Sequence, residues 1–120
     1  MRRLVQAALL VVVGLLFINL SQAAAPPPGQ WVVISLDHIE ITPSQEWFTA
    51  EGIWFGSPTP YQTQFNCSRS DFISIVDPTL MNRALSVALY AKSAGSSMKV
   101  YVTGCDSRGV LVGQSVMLID

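Results

Sequence analysis

Charge is scarce in this chain: only 12% of its 120 residues are Asp, Glu, Lys or Arg. No basic stripe or cluster follows Arg2-Arg3, so nucleic-acid binding has no electrostatic footprint, and an anionic membrane surface is an equally poor partner. Histidine occurs once, at His38, and cysteine twice, at Cys67 and Cys105. Those three residues lack the close ligand spacing of a zinc knuckle, so no metal or other cofactor is expected. There is no Gly-x-Ser-x-Gly nucleophile elbow. There is also no internal repeat, and no linker beyond one proline-rich stretch near the start.

What is present at the start is a leader. Met1-Arg2-Arg3 is a short positive region, and Leu4 to Leu20 is apolar except for Gln6, Gly14 and Asn19. Small residues follow, Ser21-Gln22-Ala23-Ala24-Ala25, and they satisfy the small-x-small rule for signal peptidase after Ala23 or after Ala25. Pro26-Pro27-Pro28-Gly29 then stops any helix. The expected organisation is a signal peptide at 1–23, a proline-rich segment at 24–30 and a single β-rich domain at 31–120. An uncleaved signal anchor is the rival reading. The run is on the short side of the roughly 17–25 residues that span a bilayer, and it ends in small residues rather than a charged stop. No cysteine follows the cut to carry a lipid. The expected destination is the periplasm or the medium, with no membrane association after cleavage.

Without the leader, five basic side chains face eight acidic ones, a net charge of about −3. About 95 residues make one small domain, and a core of that size is often stapled. Two cysteines exported to an oxidising compartment are expected to pair as Cys67–Cys105. Closing that loop would stabilise the fold by roughly 3–4 kcal/mol.

The rest of the chain alternates short extended runs with turns. Trp31 to Leu36 reads as a first strand, and Ile39 and Ile41 alternate around Glu40. Trp47-Phe48 and Ile53-Trp54-Phe55 read as further short strands joined through Ala50-Glu51-Gly52. A loop with two prolines, Gly56 to Pro60, precedes extended pieces at Phe65-Asn66-Cys67 and Phe72 to Ile75. One helix is clear, over about 78–94. Asp77 is its N-cap, Pro78 its first residue, and apolar side chains recur at three-and-four spacing from Leu80 to Ala91. Lys92 suits its last turn, and Gly95 ends it. Met98 to Thr103 alternates, with Val100 and Val102 on one face and Tyr101 and Thr103 on the other. Asp106 to Gly109 is a turn, and Val110-Leu111-Val112 and Val116 to Ile119 close the chain. The sum is a mostly β, α+β domain: a small barrel of about five or six short antiparallel strands with one packed helix.

The run Ala88 to Gly95, followed by Met98 to Val102 and Gly104-Cys105, resembles the B subunits of subtilase-cytotoxin and typhoid-toxin type AB5 toxins. The resemblance covers roughly residues 65–119. It implies an OB-like barrel with a helix across it, pentameric assembly and glycan binding, and it carries over no individual sugar-contacting residue.

The residues themselves leave three kinds of function to weigh. Asp37, His38 and Glu40 form the one cluster of a base with carboxylates, and they read as a solvated strand end with an ion pair rather than as a catalytic set. Glu46 and Glu51 are the only other carboxylate pair of interest for hydrolysis, and they flank a turn. The aromatic residues Trp47, Phe48, Trp54, Phe55 and Tyr61 are either core or a stacking surface for sugars. Trp47, Trp54 and Tyr61 are the candidate ligand contacts. The last strand is apolar on both faces, so its outer face calls for the helix or a second subunit. The leading expectation is a non-catalytic exported binding module for a glycan, with homo-oligomerisation as an option. An accessory protein that binds another protein is the alternative, and a small hydrolase is the third.

Overall fold

The computed structural model describes residues 28–43 and 51–120. The expected leader, both expected cleavage positions and the strand expected at Trp47-Phe48 lie outside the described residues. Six strands and one helix follow in the order β1 (Gln30–Val33), β2 (His38–Thr42), β3 (Gly52–Gly56), β4 (Arg69–Ile75), α1 (Pro78–Ala94), β5 (Ser97–Cys105) and β6 (Val110–Ile119). They form one sheet in the order β1-β5-β6-β4-β3-β2. Among the described residues the fold is mostly β with one helix, as the strand-and-turn pattern implies.

Every neighbouring pair is antiparallel except β4 with β6, which run parallel. That exception follows from the chain order: α1 leads from β4 into β5, which runs opposite to β4, and the hairpin from β5 into β6 reverses the chain again, so β6 lies parallel to β4. The hydrogen-bonded ladder stays open, with β1 and β2 as its edges. Those edges are consecutive in sequence and only residues 34–37 separate them, so the sheet curls into a barrel-like shape.

The first strand is shorter than the run Trp31 to Leu36 suggests, because the backbone changes partners after Val33. Ile34 N–H donates to the Met98 carbonyl at 3.0 Å, and Ser35 N–H donates to the Tyr61 hydroxyl at 3.3 Å. The Ser35 hydroxyl then accepts from Asp37 N–H at 3.3 Å, a local bond of the kind that competes with a ladder. Phe65-Asn66-Cys67 belongs to a loop rather than a strand. The two closing strands expected at 110–112 and 116–119 are a single one, β6. Gly113 makes that continuity feasible: a Cβ there would lie 2.6 Å from Val100 Cγ1 and 2.9 Å from Ile75 Cγ1.

The helix starts and stops as its sequence requires. Asp77 Oδ1 accepts from Leu80 N–H at 2.7 Å. Gly95 ends it at φ 70°, a left-handed conformation that costs glycine little. Lys92 does more than offset the helix dipole: its Nζ donates to the Leu36 carbonyl at 2.8 Å and ties the helix to the bend between β1 and β2.

The helix packs on the sheet through Ala84, Ala88 and Ala91, all fully buried. Small side chains let the two backbones approach closely. Beneath them lie Ile53, Phe55, Ile73, Ile75, Met98, Val100, Val102 and Leu111, also without exposed surface and part of one continuous core. Cys67 and Cys105 form a disulfide with their Cα atoms 5.5 Å apart.

Candidate functional site

Strand parity divides β3 in two. Ile53 and Phe55 point into the core, so Trp54 points outward. The register extends this outward face across three strands: Glu40, Trp54 and Ser74 form one row, and His38, Gly56 and Phe72 the next. The β5–β6 turn reaches the same face through Arg108.

These residues touch in series. The Arg108 guanidinium lies 4.7 Å from the Trp54 ring centre. Trp54 meets Phe72 edge-on at 5.7 Å, and Phe72 meets His38 edge-on at 5.7 Å. Arg69 covers Phe72 at 5.0 Å. The His38 ring nitrogen Nε2 is 3.3 Å from Glu40 Oε2. The result is a continuous strip of two cations, two aromatic rings and an imidazole–carboxylate pair. Contacts of a cation with a ring face contribute about 0.5–2 kcal/mol each.

Arg108 is held in place from behind. Its Nη2 and Nε donate to Asp106 Oδ2 at 2.7 and 3.1 Å, while Asp106 Oδ1 accepts from the N–H groups of Arg108 and Val110 at 2.8 and 3.0 Å. Burial by itself would raise the pKa of Asp106. The Arg108 side chain and those two amides outweigh it and hold the carboxyl below its usual range. Arg108 Nη1 is buried and makes no hydrogen bond among the described residues.

Glycine at position 56 is a packing requirement of this face. A Cβ there would lie 2.9 Å from Phe72 and 3.1 Å from His38. Its absence lets the two rings meet above the strand. Beside them is a cleft of about 330 Å³ lined by Asp37, His38, Gly56, Ser57, Pro58 and Phe72. A larger cleft, about 470 Å³, opens between the first turn of α1 and β6. Its lining mixes Val76, Leu80 and Val112 with Asp77, Thr79, Arg83 and Gln114, and shares no residue with the strip; Asp77 is already engaged as the helix cap. The smaller cleft combines ring, hydroxyl and carboxylate, and it is the better candidate.

The residues singled out from sequence are dispersed. Trp47 lies outside the described residues. Trp54 is on the outward face but only 5% exposed, against Arg108 and Phe72, so the open part of the strip falls to half-buried Phe72 and exposed His38. Tyr61 is buried. Its hydroxyl donates to the Phe55 carbonyl at 3.4 Å while accepting from Ser35 N–H, and burial raises its pKa against the opposing bond from Ser35. Tyr61 thereby links β3 to the bend after β1. Gln64, in the same loop, donates its N–H to Gln30 Oε1 at 2.7 Å and its side-chain amide to the Pro28 carbonyl. This loop lies along the segment that contains β1, which pairs with β5 on its other side.

Tyr61→Phe leaves a backbone N–H and a carbonyl without the partner they share. We expect a loss of about 1–2 kcal/mol, read as a lower urea midpoint at unchanged slope. An unchanged midpoint would mean that the hydroxyl does not fasten the loop.

Phe72 and Arg108 carry most of the strip and were not apparent as site residues. The available signal for Phe72 is that it alternates out of phase with Ile73 and Ile75. Arg108 reads only as part of a turn. Asp37 and His38 were apparent as a cluster, but not their proximity to Phe72. Glu46 lies outside the described residues, and Glu51 is exposed. No group of three or more His, Cys, Asp or Glu side chains among the described residues could hold a metal ion. No described helix is long and apolar enough to cross a membrane.

No protein family, curated protein or solved structure gives a match to the chain.

Proposed function

We propose that the protein is an exported, non-catalytic binding module whose outward β2–β3–β4 face holds a glycan, in the manner of a toxin B subunit. The observation that carries this reading is the continuous strip Arg108–Trp54–Phe72–His38 with its adjoining cleft. Flat apolar rings beside fixed polar groups are what a sugar ring needs from a protein surface.

Topology supports the same reading. Taken as one bent strand, β1 and β2 make the barrel five-stranded, with α1 between its third and fourth strands. In OB-fold barrels the face of strands two and three, together with the loop between strands four and five, binds oligonucleotides or oligosaccharides. Here that region is β3–β4 with the Asp106–Gly109 turn, where the strip lies. The acidic balance of the chain argues for the saccharide. Its signal-like leader and the disulfide are compatible with an oxidising compartment.

A glycan array with the purified protein tests this directly. We expect binding to a subset of saccharides and a loss of about tenfold or more on Phe72→Ala, the size of effect expected of an aromatic anchor. Binding that survives Phe72→Ala would move the site off this face.

A second reading, assembly with another protein or with copies of itself, is favoured by one observation. Trp31, Val33 and Met117 remain 40%, 55% and 44% exposed on the outer face of β1, β5 and β6. Native mass spectrometry separates the cases, since a single subunit removes self-assembly and a ring supports it.

A further inference from the structure

The charge distribution around the smaller cleft deepens the proposed function and rests on it: we infer that the saccharide held there carries no carboxylate or sulfate, and that Asp37 reads its hydroxyl groups. The cations of the strip are already engaged. Arg108 is bound through two of its nitrogens to Asp106, and its guanidinium lies over Trp54, away from the cleft lining. His38 is paired with Glu40. Arg69 lies over the Phe72 ring and does not line the cleft. Among the described residues, the cleft lining therefore contains a carboxylate, an imidazole and a hydroxyl, with neither lysine nor arginine.

Asp37 is exposed, and its Oδ2 accepts from the Ser35 hydroxyl at 3.2 Å, while Oδ1 has no partner among the described residues. An ionised carboxylate accepts hydrogen bonds only. Towards a neutral sugar it offers charge-assisted bonds to hydroxyl groups, which are stronger than neutral ones. Towards an acidic sugar it presents a like charge. Ser57 supplies a hydroxyl that can donate, since its oxygen accepts from Thr59 N–H at 3.4 Å and leaves its proton available. Pro58 and Phe72 provide apolar surface for the C–H face of the ring. A neutral pyranose satisfies each of these groups, whereas a sugar bearing an acid meets Asp37 unfavourably.

The test is isothermal titration of the purified protein with oligosaccharides in matched pairs, one member neutral and the other bearing a terminal carboxylate or sulfate on the same core. We expect the neutral member to bind at least tenfold more tightly. Asp37→Asn should weaken the neutral member about tenfold and shrink the gap between the two. Ser57→Ala, which leaves the charge in place, should weaken the neutral member while preserving the gap, and it covers the case in which Asp37→Asn does not fold. Tighter binding of the acidic member, or a gap unchanged by Asp37→Asn, would overturn the inference and leave the glycan reading standing. Failure of every pair to bind the wild-type protein would overturn both.

Discussion

Replacing Cys67 and Cys105 together by serine should lower the melting temperature by roughly 15–25 °C, from a loss of about 3–4 kcal/mol in a domain of this size. The bridge joins residues 38 apart in sequence, so its removal frees a long loop in the unfolded chain. The folded state loses something as well. Cys67 is near the end of the loop that carries Tyr61 and Gln64, and Cys105 is the last residue of β5. Without the bridge, that loop is held mainly by the Tyr61 hydroxyl, the Gln64 contacts and the Arg69 N–H bond to the Gly109 carbonyl at 2.9 Å. Differential scanning calorimetry of the double variant, beside the wild type with and without reductant, measures the effect. A melting temperature unchanged within a few degrees would mean that the loop is fastened adequately by its hydrogen bonds.

Phe55→Ala should be at least as damaging. Phe55 is fully buried among core side chains from the sheet and helix, and deleting such a ring costs about 3–5 kcal/mol through lost burial and the cavity left behind. That is a large share of the roughly 5–15 kcal/mol that stabilises a typical domain. The neighbouring Trp54→Ala provides the contrast. It removes a larger side chain, but one on the outward face, outside the continuous core and covered by an arginine. Its stability cost should be smaller and its effect on ligand binding larger. Urea unfolding of the two variants in parallel decides the matter. If Trp54→Ala were the more destabilising, the packing of Arg108 and Phe72 on Trp54 would contribute to stability as much as the core does.

The division of β3 into a core face and an outward face marks what can and cannot be read from the sequence. The helix was fully legible because its signals are local: Asp77, Pro78, the spaced alanines and Gly95 lie within one segment. The disulfide was legible because only two cysteines exist. The alternation of β5 was legible for the same local reason. The aromatic stretch was ambiguous, because Ile53-Trp54-Phe55 is apolar throughout and periodicity does not say which face of an apolar run is inside. Parity resolves it only once β2 and β4 are seen on either side. Tyr61 is an instructive case. It follows two prolines and reads as a loop aromatic, yet its ring is buried because the loop folds back over the bend after β1. The strip itself joins residues from β2, β3, β4 and a hairpin turn. No single window of sequence contains it, and the pairing that assembles it depends on the parallel contact of β4 with β6.

The pairing of β1 with β5 also sets an order of events during synthesis. Trp31 is opposite Tyr101, and Val33 opposite Lys99. At ordinary elongation rates of about 5–20 residues per second, β1 leaves the ribosome roughly 4–14 seconds before its partner strand exists. The first strand to emerge is therefore among the last to find its place, and for that interval Gln30-Trp31-Val32-Val33 is a short, uncharged, β-prone stretch with nothing to pair with. A chain built this way gains from being kept extended until β5 has been made, and a helper that holds newly made chains unfolded would have β1 to cover.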